Sequence, residues 1–347
     1  MKKFKKLLSI AIISVLCIAG CSSGGSTTTT DGADTASGES ITLRMSYSLP
    51  PNSPCDVSAQ KFKELVSERT DGRINIELYP NCGLSGGDLV KAFEMLIAGD
   101  IDIHGSSPVT AANFDPRFNA FWLPWLFDDV DSLQAAIDGG MTDEVSSWSE
   151  ERNMKVLCIA YAGARQLSNS KREVRTVEDM EGLVIRVPSV NMFIDMFQEL
   201  GASPVAMDFS EVYTASQQGT IDGQENPLST YASAALDEVQ PYVTLYDMVY
   251  DTTIWFMNNE KFSSLSAEDQ AVITECAMEA ADYYDELSIE EDASLVESLA
   301  AEGVTITDLT EEELAPFRER AEKIYEDYRD VIGADVVDSF LAYAGKN

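Results

Sequence analysis

From residue 41 onward, short runs of alternating apolar residues take turns with segments whose apolar residues recur every three or four positions, a pattern few folds can satisfy. Residues 41–48 read as a strand, closed by Pro50, Pro51 and Pro54. A helix follows with Ala59, Phe62, Leu65 and Val66 on one face, and it stops before Gly72. Ile74, Ile76 and Leu78 alternate as a second strand, and residues 88–98 form a helix that ends at Gly99. Ile101 and Ile103 open a third strand. This order predicts a mostly parallel sheet with covering helices.

The pattern restarts after a helix predicted around 131–150. Strands are expected at 155–160 and 183–187, a helix at about 190–200 stopped by Gly201, and a strand at Val205 and Met207. Asp208 and Glu211 have the spacing of a capping box, opening a helix that reaches Gln218. Gly99-Asp100-Ile101-Asp102 is echoed by Gly219-Thr220-Ile221-Asp222. The fold expected is α/β with two similarly built lobes and a cleft between them at the carboxyl ends of strands. Two acidic helices close the chain, at 267–302 and 311–328, and the first is long enough to brace both lobes.

The beginning of the chain sets the compartment. Residues 1–20 carry Lys2, Lys3, Lys5 and Lys6, then an apolar stretch too short to span a bilayer, then Ile18-Ala19-Gly20 before Cys21. This reads as a signal peptide with a lipobox, so Cys21 is the expected lipidation site and mature N-terminus. Residues 21–40 are Ser, Gly, Thr, Asp and Ala almost throughout and read as a flexible tether. The expected location is therefore the extracytoplasmic face of a membrane, held by lipid. Four of the 24 basic residues lie in the leader, leaving 20 against 59 acidic, a net charge of −39. A surface that acidic excludes nucleic acid as a routine partner.

Signatures of chemistry are sparse. There is no Walker loop, no HExxH and no GxGxxG, and the GxSxG match at Gly20 to Gly24 straddles the processing site. His104 is the only histidine and has no matched nucleophile, so a structural role is favoured. No catalytic residue, metal or cofactor is expected. Cys158 and Cys276 sit in core patterns. Cys55 and Cys82 each follow a strand of the first lobe, and a bridge between them and two free thiols are both open readings.

Arginines in apolar company are the informative residues. Arg186 interrupts Leu183-Val184-Ile185-Arg186-Val187-Pro188, and Arg165 follows Ala162-Gly163-Ala164. A guanidinium in such a place needs an anionic partner, either an internal carboxylate or a bound one.

Arg165-Gln166-Leu167-Ser168-Asn169, Gly182 to Pro188, Phe209-Ser210-Glu211-Val212-Tyr213 and Asp222-Gly223-Gln224-Glu225-Asn226-Pro227 are similar in order and spacing to the solute-binding subunits of tripartite ATP-independent periplasmic (TRAP) transporters, over about 41–340. That resemblance implies a two-lobed, periplasmic-binding-protein-like α/β fold with a ligand cleft between the lobes and a long bracing helix, residues 41–163 plus about 252–291 in lobe I and 164–251 plus about 292–347 in lobe II. It implies Arg186 as the salt bridge to a ligand carboxylate, with Arg165 in support, Asn226 donating its amide and Phe209 walling the pocket. Glu225 is expected to be structural.

Sialic-acid-binding members carry a glutamate and an arginine at positions aligned with Ser107 and Thr110, which this chain lacks. The small hydroxyl residues Ser106, Ser107 and Thr110 instead resemble those of members that bind sugar acids such as uronates or aldonates, with simple dicarboxylates and keto acids left open. Tyr47, Trp255 and Tyr161 are candidate pocket walls, while Trp122 and Trp125 look like inter-lobe core. The expected function is capture of a small organic carboxylate and delivery to TRAP membrane subunits. A sensor that presents its ligand to a receptor kinase and an extracellular sugar-acid lyase or hydrolase are the rival readings.

Overall fold

The computed structural model describes residues 40–346, so the leader, Cys21 and the tether lie outside the described residues. The body is α/β. Strands β1 (Ile41–Tyr47), β2 (Ile74–Tyr79) and β3 (Ile103–Ser106) are parallel, with β1 between the other two. The helices Pro54–Arg69 and Leu89–Ala98 connect them as the periodicity predicts. Ser53 and Asp88 cap their first turns, and Gly99 ends the second at φ 82°.

Strand β4 (Met154–Asn169) is the spine of the molecule. Later strands are β5 (Val184–Val187), β6 (Ser203–Ala206), β7 (Gly223–Pro227), β8 (Tyr242–Leu245), β9 (Tyr250–Asn258) and β10 (Thr305–Asp308). β9 lies antiparallel between β3 and the first part of β4. The last five residues of β4 pair instead with β7, which leads on to β5 and β6. β8 joins the end of β4 and carries β10. One continuous sheet thus serves both halves of the body.

The 36-residue helix Ala267–Glu302 starts at the Ser266 cap and stops at Gly303. At 1.5 Å per residue it is about 54 Å long. It packs on the helix Pro54–Arg69, on β4 and on the helix Leu228–Ser233. Its Asp285 accepts from the Tyr161 amide at 2.6 Å, and its Asp292 from the Tyr161 hydroxyl at 2.5 Å. Both contacts fall where β4 bulges between Tyr161 and Gly163. Gly163 has φ 108°, and a Cβ there would lie 2.7 Å from Pro227 Cβ, so only glycine fits.

Several expectations need correction. The helix around 131–150 is broken: Val130–Ala136 and Thr142–Glu150 flank a wide turn in which Gly140 has φ 113°. β4 does not end near Ala160, because its polar continuation Arg165, Gln166, Ser168 and Asn169 is buried and internally bonded. Asp208 makes no side-chain cap to the turn it precedes. Its carboxylate faces the Leu89 amide at the start of the second helix, and burial holds its pKa above the ordinary carboxylate value. Cys55 and Cys82 are free, buried thiols.

His104 is fully buried, with Nδ1 3.2 Å from Ser46 O and Phe93 packed edge-on at 4.9 Å. Burial lowers its pKa from 6.5 to about 4. Between those values the unfolded chain holds a proton that the folded chain does not, so His104 makes stability fall as pH drops from about 6.5 towards 4. The opposite sign holds for Asp285, which burial raises to about 6. A His104→Gln comparison separates the two. On lowering the pH from 7 to 4.5, urea unfolding of the wild type should lose about 2–3 kcal/mol more than the variant does. Equal losses would remove the histidine from the acid response.

Candidate ligand-binding site

The carboxyl ends of β1, β3 and β5 open into one pocket, bordered by Ser48 and Leu49, Ser106 and Ser107, and Arg186 and Pro188 respectively. β7 adds Asn226, the last part of β4 adds Arg165, and Phe209 and Thr110 come from the turns after β6 and β3. Seven of the residues named from the sequence therefore share one cavity. Tyr47 and Trp255 do not. Tyr47 is wholly buried, with its hydroxyl on Asp56, and Trp255 is wholly buried between Phe62 and Gly105. Tyr161 is likewise turned to Asp292. All three are core because their strand positions face the helices that cover the sheet.

The two arginines differ in kind. Arg165 Nη2 donates to Glu225 Oε1 at 2.7 Å and to its carbonyl at 2.8 Å, while Nε meets Oε2. Nη1 donates to Asp251 Oδ2 at 2.5 Å, which leaves one Nη1 hydrogen uncommitted. The guanidinium lies over the Trp122 ring at 4.6 Å. Burial works against its charge, but the two carboxylates outweigh burial and raise its pKa. Burial also raises Glu225 and Asp251, against the pull of Arg165. Glu225 is thus structural, as expected.

Arg186 is only 3% exposed, yet no carboxylate among the described residues pairs with it. Its Nε donates to Met207 O at 2.8 Å, and its guanidinium sits 5.7 Å from the centre of the Phe209 ring. Burial lowers its pKa to about 10, and the nearby Arg165 adds to that. Four Nη hydrogens remain for an incoming anion, in a fork that matches a carboxylate. A buried cation left so is costly until an anion arrives.

Hydroxyls gather on the other side. Ser107 Oγ donates to Asp251 Oδ1 at 3.2 Å, and Thr253 and Tyr284 also line the cavity, their hydroxyls 3.4 Å apart. Asp251, Thr253 and Tyr284 escaped the sequence reading. An aspartate and threonines within a strand carry no motif, and Tyr284 sits in the helical periodicity of the long helix. Asn226 lines the pocket with its side-chain amide bonded to Gln224.

Residues 45–330 match the family described as bacterial extracellular solute-binding protein, family 7. The chain is 33% identical over 268 residues to the 2,3-diketo-L-gulonate-binding periplasmic protein YiaO of Escherichia coli K12, which covers 77% of this chain and 81% of that one. A TRAP periplasmic solute-binding protein from Ralstonia eutropha H16, solved with (S)-2-acetolactate, superposes with TM-score 0.85 at 32% identity over 88% of this chain and 99% of its own. The sugar acid binding protein of Advenella mimigardefordensis, solved with galactonate, gives TM-score 0.85 at 29% identity over 89% and 99%. A two-lobed α/β body with a cationic cleft, matched along its length to these proteins, belongs to the TRAP solute-binding proteins of extracellular family 7.

Proposed function

We propose that this chain captures a hydroxylated organic carboxylate, with a sugar acid such as a uronate or aldonate favoured, and delivers it to TRAP transporter membrane subunits from a lipid anchor at Cys21. The buried, carboxylate-free guanidinium of Arg186 carries the reading. Arg186 grips the ligand carboxylate in two parallel hydrogen bonds, Arg165 adds its free Nη1 hydrogen, and Asn226 contributes its amide. Phe209 closes the apolar side. Ser106, Ser107 and Thr110 meet the hydroxyls. The ligands named for the two superposed structures support the same class, since galactonate and 2-hydroxy-2-methyl-3-oxobutanoate each carry a hydroxyl beside the carboxylate.

A thermal-shift series over uronates, aldonates and their parent sugars tests this. A ligand at 100 times its Kd stabilises the native state by about 2.7 kcal/mol, which is a shift of several degrees. The acids should raise the melting temperature and the neutral sugars should leave it unchanged. A neutral sugar as effective as its acid overturns the reading.

A further inference from the structure

Resting on that reading, we propose that Asp251 recognises a hydroxyl on the carbon next to the ligand carboxylate and turns away acids that lack it. Asp251 is 5% exposed and lines the pocket from β9. A carboxylate in a site for anions is a liability unless its charge is held and its lone pairs have work. Arg165 holds the charge. Oδ1 accepts from Ser107 Oγ at 3.2 Å and from the Thr252 amide at 2.8 Å, and Oδ2 accepts from Arg165 Nη1 at 2.5 Å. A carboxylate offers about four acceptor positions, so about one remains, on Oδ2.

That position adjoins the uncommitted hydrogen of Arg165 Nη1. A donor and an acceptor therefore stand side by side, bound to each other. An α-hydroxy carboxylate is their complement, because its carboxylate oxygen accepts while the neighbouring hydroxyl donates. A bare methylene strands the acceptor, and a second carboxylate brought there repels it. Ser107, which spends its hydrogen on Asp251, keeps its oxygen lone pairs for a further ligand hydroxyl.

Calorimetry on the purified protein with galactonate, 2-deoxygalactonate and succinate tests this. The wild type should bind galactonate about 10-fold or more tighter than the 2-deoxy acid, the value of a hydrogen bond to a charged group. Succinate should bind more weakly still. In Asp251→Asn, which keeps the shape and removes the charge, the preference for galactonate over succinate should shrink by about 10-fold. Equal affinity of the wild type for galactonate and its 2-deoxy form overturns the assignment without any variant. A folded Asp251→Asn that keeps the full preference for galactonate over succinate overturns it too. Failure of every acid to bind the wild type would instead bring down the proposed function, a distinguishable result.

Discussion

Replacing Arg186 with lysine lowers affinity for the acid ligand by about 2 kcal/mol or more, roughly 30-fold, in calorimetry on folded protein. Lysine keeps the charge but loses the planar fork and the Nε bond to Met207 O that aims it. Arg186→Met goes further and has two opposite signs. Binding is lost, yet the ligand-free variant melts higher than the wild type, because a buried cation without a carboxylate has been replaced by an apolar chain of similar volume. Unchanged affinity in the lysine variant would move the anchor elsewhere. A lower melting temperature in the methionine variant would mean that the charge is satisfied within the protein.

Arg165 behaves differently, although the sequence presents the two arginines as a pair. Arg165→Met strands the buried carboxylates of Glu225 and Asp251 and should cost about 3–5 kcal/mol of stability in urea unfolding. Adding Glu225→Gln and Asp251→Asn should restore much of that loss, since neutral amides no longer need the cation. An Arg165→Met protein with wild-type stability would show that the carboxylates have other partners or are protonated. The sequence reading ranked Arg165 below Arg186 as a ligand contact. The geometry adds that its larger duty is to hold two acidic side chains in place.

What could be read in advance divides along physical lines. The first two strands, the helices that follow them and the helix at 267–302 are legible because each leaves part of one face wet, whereas β3, buried throughout, is marked only by its place after Gly99. β9 was missed because both of its faces are buried, which removes the alternation. The end of β4 was missed because its buried residues are polar, and Arg165, Gln166 and Ser168 are satisfied by partners 56 to 86 positions away. In the site, the residues of conspicuous type or resembling motif were found. Asp251 was not, since a lone acid in so acidic a chain gives no local sign of the arginine it meets. Tyr47 and Trp255 were misplaced for a related reason: which face of a strand looks into a cavity depends on what covers the other face.

The exchange of strands between the halves also governs the order in which the molecule can form. β3 and the start of β4 flank a gap that β9 fills, and β9 lies about 85 to 155 residues further along the chain by its register with Met257 and Tyr250. Neither half is a continuous stretch of polypeptide. A nascent chain that has emerged only to residue 249 therefore lacks an inner strand of its first half, and the 36-residue helix that covers it is also still to come. Vectorial synthesis cannot deliver a finished half early, so neither half can complete its sheet until most of the chain is available.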